Sequence, residues 1–254
     1  MKSNHKKLFG TDGIRGTVNG DKVNALMAVN IAMAAGEYFY GKAGTKRPRV
    51  LIGKDTRLSG YMLEPALVAG FTSLGIEAIT TGPLPTPGVA LLTNVLRCDL
   101  GVMISASHNP YQDNGIKLFN SQGYKLSDEV EYEIEKLLHK GPTLTNAKNL
   151  GRARRMEDAI GRYIELIKLI LKKDENLLGM KIVLDCANGA GYKVGTEALF
   201  ELGCEVISIH KEPDGTNINE NCGINEIDTK LKFELQKSIL TKAANLDLEK
   251  KDKK

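Results

Sequence analysis

The chain has 254 residues, 42% of them hydrophobic and 26% charged, with a net charge of +4, an ordinary globular composition long enough for two domains. Eight lysines face five acids from Asp228 onward while the preceding body is nearly balanced, so no clustered basic face marks a nucleic-acid binder. Cys98, Cys186, Cys204 and Cys222 stand far apart without a C-x-x-C pair, which argues against zinc or disulfide frameworks and for buried thiols in the reducing cytoplasm; no apolar run reaches membrane-spanning length, so no membrane partner is expected.

The first informative stretch is Leu8-Phe9-Gly10-Thr11-Asp12-Gly13-Ile14-Arg15-Gly16. Its glycines around one arginine describe a tight loop whose backbone approaches another group closely, the alternative being a surface turn with a solvated arginine. Asn24 to Tyr40 reads as a helix with Leu26, Val29, Met33, Gly36 and Tyr40 on one face. Arg49 to Gly53 reads as a strand, Lys54 to Arg57 as the loop after it, Leu63 to Leu74 as a helix and Gly75 to Thr80 as a returning strand. Gly82 to Gly88, rich in proline, is a stiff connector to a helix over Val89 to Leu96. Leu100 to Ile104 is an uncharged apolar run, a buried strand, and Ile116 to Phe119 resumes an extended pattern. Ser127 and Asp128 start a charged helix through Lys140, with acids in its first turn where the helix dipole favours them.

Polar Gly141 to Asn149 ends the first expected domain, 1–150; the second spans 151–245, and 246–254 is a lysine-rich tail expected to be disordered. In the second, Met156 to Lys172 is a helix with Ile160, Tyr163, Ile164, Ile167, Ile170 and Leu171 on its apolar face. Lys181 to Asp185 is a strand, Asn188 to Gly191 a plain turn rather than a phosphate loop, Thr196 to Leu202 a helix and Cys204 to Ile209 a strand. This order echoes the strand, loop, helix and strand of the first half, with a right-handed crossover expected in each.

Between Ile104 and Ile116 lies Ser105-Ala106-Ser107-His108-Asn109-Pro110-Tyr111-Gln112-Asp113-Asn114-Gly115, a polar stretch that no core would choose. A strand that delivers a hydroxyl and an imidazole onto a loop, with Lys117 following, is how α/β proteins build active sites. Three readings compete. The loop is a turn in which Ser107 or Asn109 bonds its own backbone. Or it is a serine-hydrolase site, which the absence of G-x-S-x-G and the opposed directions of neighbouring Ser107 and His108 disfavour. Or Ser107 carries a phosphoryl group among backbone N–H groups, a metal and a cation.

Ile104-Ser105-Ala106-Ser107-His108-Asn109-Pro110 followed by Asp113-Asn114-Gly115-Ile116-Lys117 resembles the phosphoserine loop of the α-D-phosphohexomutase family. Its wording is that of the phosphoglucosamine mutase branch, where the phosphomannomutase/phosphoglucomutase branch more often reads T-[GA]-S-H-N-P with N-G-[FY]-K. Phe9 to Gly16 and Pro213 to Gly223 resemble the same branch. The resemblance implies an α/β fold of tandem phosphohexomutase-type domains with mixed sheets flanked by helices. It makes Ser107 the phosphorylated serine, sets Arg15 against phosphate, a role suited to a planar cationic fork, and offers Lys117 and His108 for proton transfer and charge stabilisation. Arg57 is a weaker phosphate-binding candidate beside Asp55, for which a structural Asp–Arg pair is favoured, and Asn109 is a further phosphate contact.

The activity implied is interconversion of glucosamine 6-phosphate and glucosamine 1-phosphate through a bisphosphorylated sugar, for UDP-N-acetylglucosamine synthesis. A phosphosugar is the substrate, a sugar 1,6-bisphosphate the activator, and Mg²⁺ the cofactor, held in part by the phosphoryl group on Ser107. After about Ala244 the family pattern is lost. The family continues to D-G-D-G-D-R, whose three aspartates bind Mg²⁺, and to two further domains, whereas this chain reads Leu246-Asp247-Leu248-Glu249-Lys250 and on to Lys254. The expected metal set is therefore incomplete. The alternatives are an inactive remnant, a half-protein completed by a second chain, or phosphomannomutase/phosphoglucomutase specificity.

Overall fold

The computed structural model describes residues 8–40, 47–172 and 175–226, so the expected tail at 246–254 and the end of the second expected domain lie outside the described residues. The elements run β1 (Ile14–Thr17), α1 (Ala25–Tyr40), β2 (Arg49–Lys54), α2 (Gly60–Ser73), β3 (Glu77–Pro83), α3 (Thr86–Val95), β4 (Leu100–Ile104) and β5 (Asp113–Asn120). They continue with α4 (Asp128–Lys140), β6 (Ala153–Arg155), α5 (Ala159–Lys168), β7 (Lys181–Asp185), α6 (Gly191–Glu201) and β8 (Glu205–Ile209). One mixed sheet has the order β1-β5-β4-β2-β3-β6. Its β2, β3, β4 and β6 are parallel, and β5 runs antiparallel to both β1 and β4. The other sheet pairs β7 and β8 in parallel. The expected α/β class, with a mixed sheet flanked by helices, is what is found.

Side chains alternate between the two faces of a strand, and the large sheet is apolar on both. On one face Ile14, Val50, Ile52, Val102, Ile104, Ile116 and Leu118 pack against α1, α2 and α4 through Ile31, Leu63, Phe71 and Ile134. On the other, Leu51, Ile79, Met103 and Phe119 meet Val89 and Leu92 of α3, with Tyr163 and Ile164 of α5 and Val194 and Ala198 of α6 beyond. The helices cover only part of this second face, which leaves the end nearest β1 and β5 open to polar residues.

Several boundaries moved from those the sequence suggests. In α1 the buried stripe is Ala28, Ile31, Ala32, Ala34, Ala35 and Gly36, while Leu26 and Tyr40 are exposed. Small residues won because α2 approaches closely: a Cβ on Gly70 would lie 2.6 Å from the Ala32 Cβ and 2.7 Å from the Val29 carbonyl oxygen. Helix α2 begins at Gly60 and carries Pro65 inside it. Strand β3 runs on to Pro83, so the stiff connector shrinks to Leu84 and Pro85 before α3. Helix α5 stops at Lys168 and leaves Ile170 exposed, and α6 starts at Gly191. Strands β1 and β6 were not expected. The latter, C-terminal of the boundary expected at residue 150, joins the edge of the six-stranded sheet beside β3.

The β7–β8 pair is less covered, since Ile182, Val183, Leu184, Val206 and Ile207 are only half-buried and Phe200 and Met180 are exposed. All four cysteines are buried thiols. No helix among the described residues is long and apolar enough to cross a membrane. Gly70→Ala should wedge α1 from α2 and destabilise the chain by about 1–3 kcal/mol, the usual cost of overpacking; a urea midpoint unchanged from the parent would show that the helices can separate freely.

Candidate active site

The site is built where β2 and β4 end side by side and β5 returns. Strand β4 delivers Ser105 and Ser107, and the loop after β2 delivers Asp55, Thr56 and Arg57. The two loops are joined early: Asp55 donates its N–H to the Ile104 carbonyl at 3.0 Å, and Ser105 donates to the Gly115 carbonyl at 2.9 Å. Ligands bind at such carboxyl edges of parallel strands because the loops diverge there.

Ser107 is exposed and its backbone sits in the left-handed region, φ +58°, which costs a non-glycine residue on the order of 1–3 kcal/mol. Neighbours hold that conformation from three sides. Its N–H donates to Ser105 Oγ at 3.0 Å. Its carbonyl accepts from Arg57 Nη2 at 3.2 Å and from Asn219 Nδ2 at 3.0 Å. The same two groups donate to the Asn109 carbonyl at 2.6 and 3.0 Å. The backbone is thus fixed while the hydroxyl stays open to solvent. Ser105, by contrast, is buried. His108 is exposed on the same turn.

The Arg57 side chain has no exposed surface and pairs through Nη1 with Asp55 Oδ2, the structural Asp–Arg pair favoured from the sequence. Its fork is spent on Asp55 and on two loop carbonyls, while its buried Nε has no partner among the described residues. Burial pulls its pKa down and Asp55 pushes it back up. The Asn109 amide is likewise engaged, donating to Asp113 Oδ2 at 2.9 Å. Asp113 Oδ1 accepts from the Thr17 hydroxyl at 3.0 Å.

Arg15 and Lys117 come from the sheet itself. Arg15 pairs with Gly115 in register, and Lys117 lies two residues further along β5, opposite Met103. Cross-strand partners and residues two apart share a face, so both cations project from the open end of the second face. Two glycines make this possible. Gly13 has φ +86° and a Cβ there would sit 2.5 Å from the Ile116 carbonyl oxygen; one on Gly115 would sit 2.6 Å from the Ile14 carbonyl oxygen and 3.0 Å from Arg15 Cγ. The glycine-rich stretch is therefore a short turn bonded Gly10 to Gly13, leading into β1. The close approach expected there is to the edge of β5. Residues Leu8, Gly10, Thr11, Asp12, Gly13, Arg15 and Lys22 line an open cavity of about 330 Å³.

Arg15 Nη2 donates to Asp12 Oδ2 at 2.7 Å, and its buried Nε has no partner among the described residues. Lys117 has its pKa lowered, first by burial and then by Arg15 and Arg57, with Asp12 and Asp55 opposing. The arrangement is a candidate anion site, since an anion would relieve the repulsion among these cations and take up spare donors.

The second unit contributes more than the sequence suggests. Thr56 Oγ1 donates to the Asn188 carbonyl at 2.5 Å, and Leu58 N–H to the Gly215 carbonyl at 2.8 Å. Asn219 completes the clasp on the Ser107 loop. Nothing in spacing links residue 219 to residue 107; the only hint was a run of asparagines able to adopt positive φ, as Asn219 and Asn221 do. The Asn188 side chain is consumed by Glu212 N–H and the Asn217 carbonyl, which makes its turn a structural staple.

The expected Mg²⁺ does not fit the acids around Ser107. A hard divalent cation takes several oxygen ligands, but Asp12 is paired with Arg15, Asp55 with Arg57, and Asp113 with Asn109 and Thr17. Among the described residues, the one cluster of three metal-ligating side chains is Asp185, His210 and Cys222, none of them on this loop.

A mixed sheet with a pinned serine on a strand-end loop and cations on the neighbouring strands defines an α/β protein with a candidate site at its strand ends. Residues 6–144 match the family model described as phosphoglucomutase/phosphomannomutase, alpha/beta/alpha domain I, and the chain belongs to that family. It is 59% identical over 220 residues to a phosphoglucosamine mutase of Parvibaculum lavamentivorans, covering 86% of this chain and 49% of that protein. It is 52% identical over 243 residues to a phosphoglucosamine mutase of Erythrobacter litoralis, covering 96% of this chain and 52% of that protein. The chain thus spans about half the length of the curated relatives it matches. Among solved structures it resembles a phosphoglucomutase/phosphomannomutase family protein from Burkholderia thailandensis, with a TM-score of 0.71 at 25% identity over 83% of this chain and 45% of that one.

Two outcomes follow from the geometry. Arg57→Ala strips the buried Asp55 carboxylate of its partner and should cost about 3–5 kcal/mol; an unfolding free energy within error of the parent would mean the pair is dispensable. Arg15→Gln removes a cation that depresses Lys117, so the Lys117 titration midpoint, followed by NMR of its labelled side chain, should rise. A midpoint that stays put would show that the two cations do not sense each other.

Proposed function

We propose that the chain carries the phosphoryl-transfer half of a phosphoglucosamine mutase. The observation that carries the reading is the Ser107 loop: an exposed hydroxyl on a backbone fixed by Arg57 and Asn219, in a chain 52–59% identical to phosphoglucosamine mutases. The charge of Arg15 bears on Arg57 and that of Arg57 on Lys117, which favours one site for loop and cations. In this reading Ser107 Oγ holds the phosphoryl group. A hydroxyl of the bound aminosugar phosphate attacks phosphorus and the bond from phosphorus to Ser107 Oγ breaks. The sugar hydroxyl gives its proton to one of Lys117 and His108, and the other, in its protonated form, gives its proton to the departing Ser107 Oγ. The bisphosphorylated sugar then returns its other phosphoryl group to Ser107 by the reverse step, leaving the isomeric monophosphate.

Each residue has a physical reason for its part. The lowered pKa of Lys117 enlarges the fraction able to accept a proton near neutral pH. Arg15 contacts phosphate with its spare donor. Arg57 is a positioning residue, since its donors go to the loop rather than to a ligand, and Asn109 braces Asp113. The substrate is a phosphosugar, with a sugar 1,6-bisphosphate as activator, and the compartment is the cytoplasm. We divide the chain after α5, since β6 and α5 pack with the first sheet. The half-buried faces of the β7–β8 pair favour a further polypeptide segment packing there before turnover.

The test is direct. Incubation with glucose 1,6-bisphosphate, then peptide mass mapping, should place phosphate on Ser107, and Ser107→Ala should abolish the label. Phosphate on buried Ser105 would move the phosphoryl carrier and overturn the assignment.

A further inference from the structure

Strands β7 and β8 are parallel and in register, with Asp185 opposite Ile209. The residue closing β7 and the residue following β8, Asp185 and His210, therefore emerge together at the carboxyl edge of the second sheet. Cys222 comes to the same point from the loop beyond Asn219. One ligand atom from each of the three lies within 4.8 Å of the others. His210 Nδ1 is 3.0 Å from Asp185 Oδ1. The carboxylate is held in place by backbone donors, Ala187 N–H to Oδ1 at 2.8 Å and Gly223 N–H to Oδ2 at 2.9 Å, the kind of outer contact that orients a metal ligand.

We propose that Asp185, His210 and Cys222 form a binding site for a zinc-class divalent cation. The donor set decides the class: thiolate, imidazole and carboxylate together suit Zn²⁺ or Co²⁺, whereas Mg²⁺ and Ca²⁺ take oxygen alone. Wide spacing of the cysteines disfavours a multi-thiolate framework, but a site using a single cysteine escapes that argument. Cys222 is buried, while the side chains of His210 and Asp185 are 38% and 27% exposed, so metal enters from solvent and a water takes the fourth position. Binding releases the thiol proton of Cys222 to water. The site also has a structural consequence. Asn219, which clasps the Ser107 loop, donates its N–H to the Ala187 carbonyl at 2.9 Å, so a metal joining Cys222 to the two strand ends braces the loop that carries Asn219.

The experiment uses the whole chain, treated with chelator and titrated with Co²⁺. A single cobalt should bind with tetrahedral visible bands and a near-ultraviolet thiolate-to-cobalt charge-transfer band, both bleached by Zn²⁺. Cys222→Ser should remove the charge-transfer band, and His210→Ala, at a half-exposed strand end, should weaken binding by about 10–100-fold with an unchanged circular dichroism spectrum. Cys186→Ser, which alters the neighbouring buried thiol, should leave the band intact. Absence of the band, or a band that survives Cys222→Ser or is indifferent to His210→Ala, overturns the proposal.

Discussion

The guanidinium of Arg57 is the contact on which the site depends. A fully buried cation is unfavourable unless its charge and its donors are satisfied, and here Asp55 supplies the charge while the carbonyls of Ser107 and Asn109 take the remaining hydrogen bonds. Those carbonyls can reach Arg57 only if the chain turns sharply at Ser107. The cost of the left-handed conformation there is offset by charge-assisted hydrogen bonds, each worth more than a neutral one. The result is a serine whose backbone is held on several sides and whose side chain is exposed.

The same economy of space governs the other cations. Lys117 and Arg15 stand on a sheet face that α3 and α5 cover elsewhere, and glycines at 13 and 115 let neighbouring backbones close beneath them. Burial that would stabilise an apolar side chain instead depresses the Lys117 pKa. An anion at that point would satisfy both side chains, which supports the proposed phosphate contact over a set of surface ion pairs, whose worth is small.

The second unit is joined to the first through polar contacts at strand ends: Thr56 with Asn188, Leu58 with Gly215, and Asn219 with the serine loop. Such contacts specify orientation, and Val194 and Ala198 of α6 add apolar packing against α5. Its own sheet is two strands wide among the described residues, with half-buried faces. Stability and function therefore separate: the six-stranded sheet has two apolar faces of its own, while the serine loop needs Asn219 from beyond it.

The sequence by itself determined the α/β class, the buried strands β2 and β4, the half-buried strands β7 and β8, the charged helix α4 and the identity of Ser107, Arg15 and Lys117 as candidates, because hydrophobic period and an unusual polar motif are local signals. It misplaced the buried face of α1, since the value of Ala32 there depends on Gly70 thirty-eight residues away. It read β1 as a loop and missed β6, because short edge strands acquire their structure from a partner. It set Arg57 and Asn109 against phosphate, where the structure turns Arg57 onto the loop's carbonyls and Asn109 onto Asp113. Tertiary structure alone decided that Asn219 holds Ser107 and that Asp185, His210 and Cys222 meet. The physical reason is the same in each case: a side chain's hydrogen-bond partner or ligand set is fixed by which strand ends lie side by side, and no spacing along the chain records that.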